Sequence, residues 1–416
     1  MARLIQVFEH ERLTLFPNER EDKLFPKELI KLYEFNDRND NIYFTGIRDG
    51  VKFNSYVGVI QIGGLTIEIL PKADRKTHTV KADFTNWRNA LLNMLAICRN
   101  IKVDSVSEAS LNKRYYSLLE LYFDLFLDEV MILLRKGLIK KYHNYSSNTT
   151  ALKGRIIFSK QIQLNLIHQE RIFTSHQVYD YEHNINQILL RALNILSNIV
   201  TNDNIRDRLA RVKLDFPEIK EIEISNAHFV NIKESRNTVP YNEALKIAKM
   251  IILNYSPDIK NGQENMLALL FDMNKLWEDY VYRMLLRNDD PTIKINFQNA
   301  QMFWENKTIR PDLVISKTIS PDKIENYIID TKWKIVDAKH PADDDLKQMF
   351  AYNIYWDAGK SILLYPKTYD QKEKFGSFHK GMSGENKCKL GFIDVLDKNG
   401  ALNYNIYEDI LLKLKN

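Results

Sequence analysis

Residues suited to phosphate-ester chemistry lie close together in the last third of this 416-residue chain: Asp312 after Pro311, the triplet Asp330-Thr331-Lys332, and Gln348 followed four residues on by Tyr352. On a strand successive side chains alternate, so Asp330 and Lys332 should share one face roughly 7 Å apart while Thr331 points away. Asp312, on the preceding strand of a hairpin, comes to about 5 Å from Asp330 by cross-strand pairing. Two converging carboxylates need a compensating charge, and Mg²⁺ is a hard cation that takes oxygen ligands. Such an ion polarises a phosphodiester and stabilises the charge that builds up as it is attacked. Lys332 would then orient the attacking water, or deprotonate it if positive neighbours and burial lower its pKa. An Asp-x-Lys triplet alone reads first as an exposed ion pair on a sheet edge. The apolar run Tyr327, Ile328, Ile329 before it changes that reading, because the carboxylate then emerges where a core strand reaches the surface.

The run DDLKQMFAYNIYW sets Gln348 and Tyr352 at i and i+4 of a helix, where Gln348 can hold the lysine, a metal or the scissile phosphate. Plain amphipathicity, with Tyr352 in the core and Gln348 at its rim, is the alternative. Glu278, in LWEDYVYRML, shares a helical stripe with Val281 and Leu285; it either turns toward the sheet as a further carboxylate or is solvated beside Asp279. Gly359-Lys360-Ser361 has the look of a phosphate-loop ending, but Ile354 stands where its first glycine belongs, and a strand comes next rather than a helix. Nucleotide hydrolysis therefore belongs to a partner chain. No HExxH or GxSxG occurs. Lys153-Gly154-Arg155 reads either as a phosphate or partner contact or as a turn entering a strand.

Periodicity gives the secondary structure that carries these residues. Asp49-Gly50 and Gly63-Gly64 mark two hairpins in a β-rich front segment, with Leu65, Ile67 and Ile69 on one face and Thr66 and Glu68 on a wet one. Helical spacing covers residues 87–99, 116–136 (stopped by Gly137), 183–200 and 241–254. HNYSSNTT, residues 143–150, reads as a polar loop at a domain boundary. Thereafter a helix is expected over 266–287, strands over 292–296, 308–316 and 327–333, a helix over 342–356, strands over 362–365 and 392–396, and a closing helix from Tyr407. The expectation is an α+β multidomain chain: a β-rich segment over 1–85, a mainly helical middle over 86–260, and an α/β domain over 261–416 that carries the candidate site.

The order Asp312, Asp330-x-Lys332, Gln348-x-x-x-Tyr352 resembles the PD-(D/E)xK nuclease superfamily, in particular its members with a QxxxY helix. Longer strings, LKGRIIFSKQI at 152–162, YEHNINQILLRAL at 181–193, LWEDYVYRML at 276–285, IIDTKWK at 328–334 and LLYP at 363–366, resemble the McrC family, nuclease subunits of McrBC modification-dependent restriction systems. The resemblance runs from about Asn86 to the end. It implies a restriction-endonuclease-like fold for 261–416, with Asp312, Asp330 and the main-chain carbonyl of Thr331 on Mg²⁺ and Lys332 assisting hydrolysis. It also implies double-stranded DNA carrying methylated cytosine as substrate, and a McrB-like AAA+ GTPase ring as partner. That ring binds the GTP, and the McrC chain docks on it, stimulates its hydrolysis and cuts. The segment before about Asp83 departs from the shortest McrC-like chains and is either a docking element or a DNA contact. Two other readings stand beside the nuclease subunit: a non-catalytic activator that only holds DNA, and a stand-alone RecB-like repair nuclease.

Composition agrees with a folded chain of more than one domain. With 59 Lys+Arg against 54 Asp+Glu the net charge is +5, which permits a basic groove without requiring one. Only 14 Gly and 11 Pro exclude collagen-like and low-complexity classes. No apolar run reaches membrane-spanning length, and the charged start MARLIQVFEHERL lacks a secretory pattern, so a cytoplasmic protein without membrane contact is expected. Cys98 and Cys388 stand far apart, which disfavours a disulfide scaffold and a zinc site.

Overall fold

The structure, a computed structural model, describes residues 3–72, 81–99, 118–256, 265–335, 341–368, 373–379 and 386–415. The chain divides into two compact units, one of residues 1–3, 60–66 and 115–269, the other of 4–59, 67–114 and 270–416. These units do not coincide with boundaries at 85 and 260, because residues from both ends of the chain make up the second unit.

That second unit is built on a six-stranded mixed sheet in the order Ile293–Phe297, Leu313–Ser320, Lys323–Thr331, Ala358–Pro366, Lys387–Ile393, Gly376–Ser377. Leu313–Ser320 and Lys323–Thr331 form an antiparallel hairpin that turns at Pro321-Asp322. Lys323–Thr331, Ala358–Pro366 and Lys387–Ile393 then run parallel. Parallel neighbours need a crossover, and the helix Asp343–Tyr355 supplies it. Three aspartates in its first turn complement the helix dipole. Its apolar side, Met349, Tyr352 and the following Trp356, closes over Ile328, Leu363, Tyr365 and Phe392 from the sheet. A second helix, Met273–Leu285, is capped by the Asp272 carboxylate accepting from Asn274 N at 3.0 Å, and it buries Trp277, Tyr280 and Met284.

Two expectations for this region change. Residues 266–272 (MLALLFD) form a strand ahead of the helix, because they bury side chains in both directions and Asp272 caps the helix that begins at Met273. The run 308–316 is two strands, Lys307–Ile309 and Leu313–Ser320, parted at Pro311, which cannot donate to a ladder. Lys307–Ile309 pairs instead with Gln301–Trp304 in a separate two-stranded hairpin.

The front of the chain contributes a three-stranded sheet of Arg12–Thr14, Gly50–Phe53 and Phe44–Ile47 with a helix, Pro26–Arg38. The Asp49-Gly50 turn forms with Asp49 at φ 57°. The strand Leu65–Leu70 has no wet face: Glu68 is fully buried, pairing with Arg88 Nε at 3.3 Å and accepting from Gln6 Nε2 at 2.9 Å. The helix Lys81–Arg99, which carries Arg88, compensates that carboxylate.

In the first unit the helices Leu118–Lys136, Asn184–Ile199, Asp203–Asp215 and Asn242–Leu253 have strongly apolar buried sides. Gly137, at φ 85°, stops the first of them. The polar run 143–150 is no loop; it belongs to the strand Lys141–Thr149, which pairs over nine residues with Ile172–Asp180. Lys141–Thr149 is largely exposed and Ile172–Asp180 buries only Phe173 and Thr174, so backbone pairing and cross-strand contacts such as Tyr142 against Tyr179, 4.6 Å between ring centroids, carry much of the sheet. Cys98 and Cys388 are buried thiols, and no helix among the described residues is long and apolar enough to cross a membrane.

Candidate active site

Asp330 and Thr331 end the strand Lys323–Thr331, and Asp312 lies one residue outside the Leu313↔Ile329 pair, so the hairpin register sets the two carboxylates across from each other. Asp330 is 2% exposed. Asp312 is held through a single oxygen, Oδ2, which accepts from Thr331 N at 2.7 Å and Thr331 Oγ1 at 2.9 Å. The Thr331 side chain thus reaches the site instead of pointing away, at the end of the strand where the antiparallel pairing with Leu313–Ser320 has stopped. Both aspartates are pushed up from 3.8 to about 6: Asp312 by burial and then by the charge of Glu278, Asp330 by burial and then by Asp312. A buried and a half-buried carboxylate in mutual repulsion form a site that favours a cation.

Lys332 Nζ lies 2.8 Å from Asp330 Oδ2 and 3.7 Å from Asp345 Oδ1, and it donates to Gln348 Oε1 at 3.4 Å. Burial pulls its pKa down, but the Asp330 carboxylate outweighs this and the net shift is upward. Lys332 is an ammonium that donates hydrogen bonds.

Gln348 and Tyr352 act together as their spacing allows. Gln348 Nε2 donates to the Tyr352 hydroxyl at 2.7 Å, and that hydroxyl donates to the Arg310 carbonyl at 2.8 Å. A line of hydrogen bonds thus ties Lys332 through the helix to the backbone two residues before Asp312. Tyr352 is also core, as the plainer reading has it, with only its hydroxyl at the site. Glu278 is half-buried; its Oε1 accepts from Gln298 Nε2 at 2.6 Å, and burial raises its pKa. It reaches the pair through its field on Asp312, and its hydrogen bond goes to Gln298.

Three groups here carry no motif in the sequence. Asp345 pairs with Lys334 at 2.7 Å as well as with Lys332. Gln298 holds Glu278, and its own N–H donates to the Asp312 carbonyl at 2.8 Å. Glu9 lies 324 positions from Trp333, whose indole Nε1 donates to Glu9 Oε1 at 2.6 Å. The same oxygen accepts from Lys72 N at 2.8 Å. Trp333 follows Lys332 directly and packs on Trp277 at 5.4 Å between centroids, so Glu9 anchors the chain just beyond the site. The signal for Gln298 and Asp345 is proximity to the motif; for Glu9 there is none.

The donor set suits a hard, largely hydrated cation: two carboxylates with a main-chain carbonyl fit Mg²⁺, which keeps several waters. Among the described residues no three His, Cys, Asp or Glu side chains converge as a closed metal cage. Gly359-Lys360-Ser361 lies within the strand Ala358–Pro366, where no phosphate loop can form.

The chain matches the family of McrBC 5-methylcytosine restriction system components over residues 51–366. It is similar to the type IV methyl-directed restriction enzyme EcoKMcrBC of Escherichia coli (strain K12), 23% identical over 217 residues, which cover 51% of this chain and 61% of that relative's length. Its fold is that of a chain in the refined half-complex of the tetradecameric assembly of Thermococcus gammatolerans McrB AAA+ hexamers with bound McrC. There the TM-score is 0.68 at 19% identity, over 99% of both chains. A chain of the Thermococcus gammatolerans McrBC complex matches with a TM-score of 0.50 at 20% identity, over 68% of this chain and 87% of that one. The first of these likenesses takes in the front segment, so that segment belongs to the shared fold.

Proposed function

The chain belongs to the family of McrBC 5-methylcytosine restriction system components, and from that premise we propose that it is the DNA-cutting subunit of such a system, a Mg²⁺-dependent endodeoxyribonuclease. The observation that carries this reading is the pair of a half-buried Asp312 and a buried Asp330, set side by side against their own charge with Lys332 2.8 Å from Asp330. Asp312, Asp330 and the Thr331 carbonyl would hold Mg²⁺. When bound, the ion polarises the phosphodiester and offsets the negative charge of its transition state. Lys332, kept as an ammonium, donates to the attacking water or to a phosphoryl oxygen and holds it in line. Gln348, fixed by Tyr352, orients Lys332; Glu278 adds negative field beside Asp312. On this reading the protein would be a PD-(D/E)xK nuclease.

The partner would be a McrB-like AAA+ ring that binds GTP, as the thermococcal relatives are assembled with McrB hexamers. The substrate would be double-stranded DNA bearing methylated cytosine, in keeping with the methyl-directed E. coli relative. Docking and GTPase stimulation would use the front segment and the helical middle region, in the cytoplasm. The test is cleavage of methylated plasmid by the chain with its AAA+ partner, GTP and Mg²⁺, beside Asp330→Ala. Loss of cutting with GTPase stimulation intact is the expected result. A variant that still cuts would refute the assignment of the site.

A further inference from the structure

The 301–309 hairpin is an excursion from the candidate site. At its entry Gln298 bonds Glu278 and the Asp312 carbonyl; at its exit the Arg310 carbonyl is held by Tyr352. Its tip presents three consecutive large apolar side chains to solvent, Met302 60%, Phe303 50% and Trp304 57% exposed. The ammonium of Lys307 lies 5.5 Å from the Trp304 ring centroid, and Phe303 rests 5.8 Å from Tyr355 on the helix that carries Gln348. Contiguous exposed apolar side chains rimmed by polar ones mark an interaction surface.

We propose that this hairpin stacks its aromatic tip, Trp304 foremost, on bases of the nucleic acid next to the cut, an inference that rests on the nuclease reading. DNA is favoured over a protein occupant by position. Both ends of the hairpin are fastened to residues of the site, and four strand residues reach about 13 Å, within a few base steps of a phosphate held there. Flat rings flanked by a cation suit the faces of bases beside phosphates, open in a single strand and reached in a duplex by wedging a base step apart. Such a contact tolerates any sequence, which leaves target choice to the partner.

Of the five tryptophans, Trp87, Trp277, Trp333 and Trp356 are at most 6% exposed, so solvent-exposed indole emission comes from Trp304. The experiment titrates the full chain carrying Asp330→Ala with a 30-base-pair duplex, with a single strand of the same sequence, and with polyglutamate as an anion without bases. Both nucleic acids should quench that emission and polyglutamate should not; Trp304→Phe should remove the quenching. Trp304→Ala should weaken duplex binding about tenfold with partner GTPase stimulation unchanged. Saturating DNA without quenching, or an unchanged Kd in Trp304→Ala, overturns the proposal. Reduced GTPase stimulation at unchanged Kd overturns it in favour of a protein contact. The two readings fail separately: a native chain that cuts without quenching refutes the hairpin contact, and one that quenches but never cuts refutes the nuclease.

Discussion

Replacing Glu9 by glutamine should make the protein less sensitive to rising pH while leaving its site intact. Burial first, opposed by hydrogen bonds from Lys72 N and Trp333, raises the Glu9 carboxyl from 4.5 to about 7. That rise corresponds to about 3 kcal/mol held against the charged form. The folded chain keeps this proton to a higher pH than the unfolded chain does, so folding is linked to proton binding between about 4.5 and about 7. Stability contributed by the neutral acid is full below that window, is lost as pH rises through it, and is flat above. From pH 5 to pH 8 the loss should be about 2–3 kcal/mol. The glutamine would still offer an oxygen to Trp333 and Lys72 N but nothing that titrates. Its unpaired amide NH₂ in place of Oε2 costs about 1 kcal/mol at every pH. His10 Nε2, 3.9 Å from Oε2, titrates with the opposite sign, because burial and Lys52 lower its pKa. Glu9→Gln retains it, so that variant's own curve carries the His10 slope without that of Glu9. Urea unfolding at pH 5, 6, 7 and 8, followed by tryptophan emission, measures the difference directly. Stability curves that run parallel across this range would refute a buried, titrating Glu9. Glu9→Ala, which strips the acceptor from the Trp333 indole, should lower both cleavage and Mg²⁺ affinity, where Glu9→Gln preserves them.

Lys332→Ala should reduce cleavage about 10²-fold or more while calorimetry still finds Mg²⁺ bound, since Asp330 loses only its ammonium partner; affinity lost as completely as in Asp330→Ala would contradict the role given to the lysine. Gly154→Ala should destabilise the sheet of the first unit by about 2 kcal/mol or more, because Gly154 sits at φ 73° and an added Cβ would meet the Ser175 carbonyl at 2.3 Å. Faster proteolysis around residues 151–176 with unchanged Mg²⁺ affinity is the expected readout.

Local chemistry makes much of this structure legible. The Asp-Gly turn, the Gly137 helix stop and the hairpin that opposes Asp312 and Asp330 all arise from residues adjacent in sequence. The features that escape have a common cause. The strand Lys141–Thr149 is polar on both faces, so no alternation marks it, and only its partner Ile172–Asp180 makes it a strand. Glu68 looks solvent-facing in the sequence because Arg88, its counter-charge, lies 20 residues away on another element. The direction of the lysine pKa escapes for the same reason: Asp330 counts in the motif as a metal ligand, whereas in the fold it is also the nearest charge on Lys332. Glu9 is invisible in principle, since nothing in the chemistry of a lone glutamate points to an indole 324 positions on.

That separation has a meaning during synthesis. At about 5–20 residues per second, Glu9 leaves the ribosome roughly 15–60 s before Trp333, and Asp312, Asp330 and Lys332 also emerge late. The front of the second unit waits for its other half while the helices of the first unit are being made. A ribosome that stalls within this interval releases a chain lacking the acidic pair and the anchor beside it. On the nuclease reading, incomplete copies would thus lack the site that cuts.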